Sequence, residues 1–213
     1  MNTQNVLNEL RTNGYFVSKE HFSIKDSTLT LAENLTNDES YKVGRAHRTS
    51  TPEQVNGELV SLVSNSEIEE IFKSIVPGIT CQDIFITHEY KNDLMERNNW
   101  LHFDRLRCLK AMVYLTDVEE GCGALSLVPG SHKQGKELRH NFKEAESYEK
   151  KPNRIELDYP ELMTAPIPIY AGAGTLILFD TDIFHKGGDV ADNKERKIIR
   201  SHWYPDFEWR VNS

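Results

Sequence analysis

Leu109-Lys110-Ala111-Met112-Val113-Tyr114-Leu115 and, further on, Thr175-Leu176-Ile177-Leu178-Phe179 are short apolar runs, rich in the side chains that suit a pleated surface. Each is too short for a helix that could hold its own place in a core, and each has the length of a strand. Outward from them, residues 83–90, 100–104, 124–128, 167–170 and 197–204 have the same texture. Asn92-Asp93, Glu120-Gly121, Pro129-Gly130, Ala171-Gly172 and Gly187-Gly188 punctuate the series as turns. Seven or eight short strands with no helix between them predict a double-sheet jelly roll or sandwich, because a parallel sheet would need a helix after nearly every strand. Residues 133–165 interrupt the pattern. They are polar, rich in lysine and glutamate and too long for a hairpin connection, and are read either as a solvated insertion or as a lid over a pocket.

The first third of the chain, about residues 1–79, reads differently. Val6, Leu7 and Leu10 recur at helical spacing before Asn13-Gly14, which predicts a helix over about residues 4–12 closed by a left-handed glycine. Tyr15-Phe16-Val17 reads as a short strand, and a polar stretch follows it. Thr51-Pro52-Glu53-Gln54 combines a capping residue, a proline at the first helical position and a glutamine three residues on, so another helix is expected to start there. Ser66 and Glu69 repeat the capping logic ahead of Ile68, Ile71, Phe72 and Ile75 on one face. The expected architecture is therefore mainly β with N-terminal helices, in one domain over residues 1–213 with the barrel at about 80–205.

Composition narrows the function classes. The 33 acidic residues outnumber the 25 basic ones, and a net charge of −8 repels phosphate backbones and anionic lipid surfaces, so neither nucleic acid nor a membrane is the expected partner. The N-terminus lacks the basic start and apolar run of an export signal, and Cys81, Cys108 and Cys122 form no Cys-x-x-Cys pair, which together suggest a cytoplasmic protein with buried, unreactive thiols.

Chemistry concentrates at His102-Phe103-Asp104. In an extended segment residues two apart point to one side, so the imidazole and the carboxylate can share an ion while Leu101 and Phe103 face the other way. The pair alone is weak, since the His and acid content predicts about one His-x-acid pair by chance and the chain has one. His185, which follows the buried strand 175–179, supplies a third donor. Two imidazoles and one carboxylate on one face of an octahedral ion leave three adjacent positions open, the arrangement that non-haem Fe(II) oxygenases need. Arg196 opens the last strand and could grip the far carboxylate of a chelated dicarboxylate, although Lys194-Glu195-Arg196-Lys197 also reads as an exposed charged turn. Arg200, two alternations along the same face, is its rival, and position alone does not decide between them. Arg105, Arg107 and Lys110 are read as solvated charge or as partners of an acidic substrate, while His88 and Tyr90 are left unassigned near the pocket.

These residues resemble the phytanoyl-CoA dioxygenase family of Fe(II)/2-oxoglutarate oxygenases. The matching pieces are Trp100 to Asp104, Val113-Tyr114-Leu115-Thr116-Asp117-Val118 through Gly121-Cys122-Gly123, Leu125 to Lys133 with its Pro129-Gly130-Ser131-His132 turn, Gly174 to Asp180 leading to His185, and Arg196. Leu10 to Val17 is similar to the family's opening helix and strand.

The resemblance implies a double-stranded β-helix, a cupin-like barrel, holding Fe(II) at its mouth through His102, Asp104 and His185. It favours Arg196 over Arg200 for the 2-oxoglutarate co-substrate, and it leaves His132 outside the ligand set. It also implies use of O₂ to hydroxylate or otherwise oxidise a small molecule, with succinate and CO₂ as co-products. Because Asp104 is retained where halogenating relatives carry a small residue, hydroxylation is the expected outcome. The competing readings are a cupin-like jelly roll that binds a metal or a sugar without using O₂, and a protein hydroxylase with an open groove.

Overall fold

The computed structural model describes residues 1–36, 45–91, 100–142 and 151–205, with only the backbone of 19–21 and 45–49. The expected turn at Asn92-Asp93 lies outside the described residues.

Helix α1 (Thr3–Asn13) is capped at one end by the Asn2 side chain and closed at the other by Gly14, whose φ of 82° supplies the left-handed turn. Strand β1 (Tyr15–His21) follows, then α2 (Asp26–Thr36), β2 (Arg45–Ser50), a short 3₁₀ turn (Pro52–Gln54), α3 (Gly57–Val63) and α4 (Ser66–Ile75). The capping box at Thr51 is present, but it starts the 3₁₀ turn, and α3 begins after a separate cap at Asn56. Helix α4 starts where expected, with Asn65 as its cap in place of Ser66; the Asn65 side chain accepts from the Glu67 and Ile68 amides.

Strands β3 (Thr80–Tyr90), β4 (Leu109–Tyr114), β7 (Thr175–Asp180) and β9 (Glu195–Tyr204) join β1 and β2 in a six-stranded antiparallel sheet, ordered β1-β7-β4-β9-β3-β2. A smaller sheet, ordered β6-β5-β8, is built from β5 (Ser126–Leu127), β6 (Ile167–Pro168) and β8 (His185–Lys186). The two antiparallel sheets of a jelly roll are thus in place.

Alternation within the central strands places the core and the site. Leu109, Ala111 and Val113 of β4, Leu176 and Leu178 of β7, and Ile199 and Trp203 of β9 join α1, α3 and α4 in one apolar cluster outside the large sheet. Met112 and Tyr114, Ile177 and Phe179, and Ile198 face the other way, into a second cluster with Leu127 of the small sheet and Leu125 and Ile169, which flank its strands. Both faces being covered, β4 and β7 are buried at every residue and read as largely apolar runs, interrupted in β4 by Lys110 and closed in β7 by Asp180. The Tyr114 hydroxyl donates to Ile169 O at 3.1 Å and accepts from the Leu125 amide at 3.1 Å, clasping the sheets together.

Residues 133–165 depart from the expectation of strands without helices. They carry most of α5 (His132–His140), α6 (Ile155–Asp158) and a 3₁₀ turn (Pro160–Leu162). Gly135, Arg139 and Ile155 are buried, so this part is not wholly solvated. Among the described residues no helix is long and apolar enough to cross a membrane.

Candidate metal centre

His102 and His185 lie directly opposite one another. Each amide donates to the other's carbonyl, at 3.0 Å from His102 N and 2.7 Å from His185 N, an antiparallel pair that sets both side chains on one face. Their rings are 4.4 Å apart. The strand expected at 100–104 is reduced to bridges at His102, with Arg154 on one side and His185 on the other. The ladder does not continue, because the Asp104 amide turns to Thr181 O at 2.9 Å while Ile183 O accepts from the His185 ring. Phe103 points away, packed with Leu101, Val128, Ile155 and Phe184.

The three expected donors converge. Asp104 Oδ1 is 3.8 Å from His102 Nε2 and 3.6 Å from His185 Nε2, and one donor atom from each residue falls within 4.8 Å of the other two. Each imidazole is oriented from behind: His102 Nδ1 donates to Trp100 O and His185 Nδ1 to Ile183 O, both at 2.8 Å, which leaves the Nε2 lone pairs for an ion. Burial, with the field of His102, lowers the His185 pKa to about 3, and burial likewise lowers that of His102. Burial pushes Asp104 up, but Lys110 and the two imidazoles outweigh it and hold the carboxyl well below its usual range. Two neutral imidazoles and one ionised carboxylate form a donor set that fits a divalent cation.

The residues around the triad correct several expectations. Lys110 is buried, not solvated, and its Nζ donates to Asp104 Oδ2 at 2.6 Å. Arg107 is paired with Asp180, its Nη2 at 2.5 Å from Oδ2, and Arg105 donates to Lys151 O. Arg196 is 5% exposed, which rules out the exposed charged turn, and its guanidinium is paired with the buried Glu89 of β3. Arg200 faces the same interior and lies over the Phe85 ring at 4.9 Å. A cavity of about 180 Å³ is lined by the triad together with Lys110, Glu89, Arg196 and Arg200. His88 pairs with Glu195 at 2.7 Å and is not among the residues lining that cavity. His132 stands apart, against Arg11 O. Sequence reasoning missed Glu89 altogether and misplaced Lys110, although a lone cation inside an apolar strand was a usable signal.

A family model described as Phytanoyl-CoA dioxygenase (PhyH) matches residues 31–198. No curated protein matches at a significant level. Among solved structures the chain is similar to SnoK, a non-heme alpha-ketoglutarate-dependent carbocyclase from nogalamycin biosynthesis (TM-score 0.73, 18% identity, 95% of this chain and 84% of that one). It is also similar to the epimerase SnoN in complex with Fe3+, alpha ketoglutarate and nogalamycin RO (0.68, 14%, 95% and 83%). A third is HygX from Streptomyces hygroscopicus with nickel, 2-oxoglutarate and hygromycin B bound (0.66, 15%, 96% and 88%). At these identities the likeness establishes the fold.

Proposed function

This chain belongs to the phytanoyl-CoA dioxygenase family of Fe(II)/2-oxoglutarate oxygenases, and from that premise we propose that it oxidises a small molecule, with hydroxylation as the outcome. The observation that carries the reading is the convergence of His102, Asp104 and His185, two imidazoles and a carboxylate on one face of a cavity. When bound, Fe(II) supplies the activation of O₂, coupled to conversion of 2-oxoglutarate to succinate and CO₂.

The chain's own residues do the rest. His102 and His185 would ligate through Nε2, each ring fixed by its Nδ1 bond to a backbone carbonyl. Asp104 would ligate through Oδ1, because Lys110 holds Oδ2. Arg196, which lines the same cavity, would take the distal carboxylate of 2-oxoglutarate. Phe179, Met112 and Leu125 line it with apolar surface and limit access of water to the reacting groups.

A small-molecule substrate is supported by the nogalamycin RO and hygromycin B bound to the structural neighbours. Since those neighbours include an epimerase and a carbocyclase, the products decide the outcome, and a gain of one oxygen atom marks hydroxylation. The decisive experiment titrates Mn(II) and 2-oxoglutarate into the wild type, His102→Ala and Asp104→Ala, then measures iron-dependent succinate formation. Both variants should lose metal binding and turnover, while Arg196→Ala should retain the metal and bind 2-oxoglutarate weakly. Near-normal succinate formation in either ligand variant would refute the assignment.

A further inference from the structure

The guanidinium assigned to the co-substrate is already engaged. Arg196 of β9 lies in register with Glu89 of β3, the two residues being 5% and 3% exposed. Arg196 Nε donates to Glu89 Oε2 at 2.8 Å, and Nη2 donates to the same oxygen. Those are the hydrogen bonds Arg196 makes among the described residues, and both partners line the cavity that holds the triad.

A carboxylate arriving at Arg196 therefore meets a cation whose charge is already compensated, and it must approach a second carboxylate in surroundings that screen poorly. Removing the charge of Glu89 has two effects of one sign. The repulsion disappears, and the arginine is left buried without its counter-ion, a deficit that an incoming carboxylate relieves. The opposing effect is loss of the bond that orients the guanidinium, and it is smaller: two donors converging on one oxygen fix its direction less firmly than a bidentate fork.

We infer that Glu89 is a built-in competitor for the 2-oxoglutarate anchor, setting co-substrate affinity by occupying Arg196 from within the barrel. The inference rests on the reading above, in which Arg196 takes the distal carboxylate.

The test is calorimetric, on the full chain saturated with Mn(II). Two ligands are compared: 2-oxoglutarate, and 2-oxovalerate, which has the same 2-oxo acid head but a methyl group in place of the distal carboxylate. Glu89→Gln should bind 2-oxoglutarate at least about tenfold more tightly, about 1.4 kcal/mol, with 2-oxovalerate and Mn(II) affinities changed by less than about twofold. Adding Arg196→Gln to that variant should erase the gain. Unchanged or weaker 2-oxoglutarate binding in Glu89→Gln, or an equal gain for both ligands, would overturn the inference. If Glu89→Gln does not fold, the wild type decides: a preference for 2-oxoglutarate over 2-oxovalerate below about tenfold supports the competitor, and a larger one overturns it. If neither 2-oxo acid binds the Mn(II)-loaded wild type, the oxygenase reading itself fails and takes the inference with it. If both bind, and the 2-oxoglutarate affinity responds to Arg200→Gln but not to Glu89→Gln, the oxygenase reading stands, and the inference fails together with the Arg196 assignment.

Discussion

Lys110 Nζ stands 2.6 Å from Asp104 Oδ2, so the carboxylate that faces both imidazoles is held from its other oxygen by an ammonium. Strand alternation puts it there: Leu109 and Ala111 pack outward against the helices, and the residue between them must point into the barrel. Lys110→Met would leave Asp104 ionised and half-enclosed without its cation. The metal-free protein should lose about 2–3 kcal/mol, less than a fully buried pair would cost because the Asp104 side chain keeps 23% of its exposure. A divalent ion should then restore more stability than it gives the wild type, since it no longer meets an ammonium at the site. Thermal unfolding with and without Mn(II) checks this; equal metal increments in the two proteins would contradict it.

Acid should unfold the metal-free protein early. Burial lowers the pKa values of His102, His185 and His202, so in the folded state these imidazoles stay neutral where unfolded ones would charge. Between the folded values and the unfolded value of about 6.5 the unfolded chain binds more protons, and stability falls as pH falls. Each imidazole that stays neutral in the folded state adds up to about 1.4 kcal/mol per pH unit to that fall below about pH 6. Urea unfolding in chelator at pH 7.5, 6.5 and 5.5 measures it. A flat profile across that interval would mean that the rings are not buried neutral.

Legibility followed the strength of local signals. The strands β4, β7 and β9 and the helices α1 and α4 declared themselves because each buries an apolar face, and the spacing of that face survives in one dimension. Helix α2 reads in sequence as a polar stretch because two of its three buried residues are Thr28 and Thr36, which dilute the apolar stripe. Strand β2, Arg-Ala-His-Arg-Thr-Ser, is an edge strand held by its ladder with β3, and backbone pairing leaves no mark on composition. At the site, the i, i+2 spacing of His102 and Asp104 was visible, and so was His185 after its strand. What no single segment could show is register: that His102 and His185 exchange backbone hydrogen bonds, or that Glu89 meets Arg196 across 107 positions.

The segment that carries His185 is braced by a second pair of charges. Arg139 of α5 donates to Asp182 through Nε at 2.8 Å and Nη2 at 3.2 Å, both side chains almost wholly enclosed, and Arg107 Nε lies 3.4 Å from Asp182 Oδ2. Asp182 is three residues before His185 and adjoins Ile183, whose carbonyl holds the His185 ring. Arg139→Met should cost about 3 kcal/mol, the lower end for a broken buried pair because Arg107 remains nearby. It should also weaken Mn(II) binding, by loosening the backbone that aims His185. A destabilising change in α4, such as Ile71→Ala, provides the control: if it weakens Mn(II) as much as Arg139→Met does, the brace has no specific role.

Gly135 tests the same contact from the backbone. A Cβ built there would sit 1.9 Å from Asp182 O, so α5 approaches the loop as closely as a glycine allows. Gly135→Ala must push the helix off the loop, with an expected loss of about 3 kcal/mol, the upper end for overpacking, and a drop in Mn(II) affinity. A variant as stable as the wild type, measured by urea unfolding, would mean that the helix can shift without strain.

The thiols supply the alkaline counterpart. Burial pushes Cys81 up to about 11 and Cys108 up to about 12, so at pH 8 both are protonated, and alkylation of these two thiols in the native protein should run at least about a hundredfold slower than that of a free thiol near 8.5. Because the folded values lie above the unfolded one, the native state keeps protons that the unfolded chain releases. Their stabilising contribution is intact below about pH 8.5 and is lost as pH rises toward the folded values, by up to about 1.4 kcal/mol per pH unit for each thiol. Urea midpoints at pH 8, 9 and 10 should fall in step, and Cys108→Ser should flatten the decline, because a hydroxyl does not titrate there. A decline as steep in that variant as in the wild type would assign the alkaline loss to some other group.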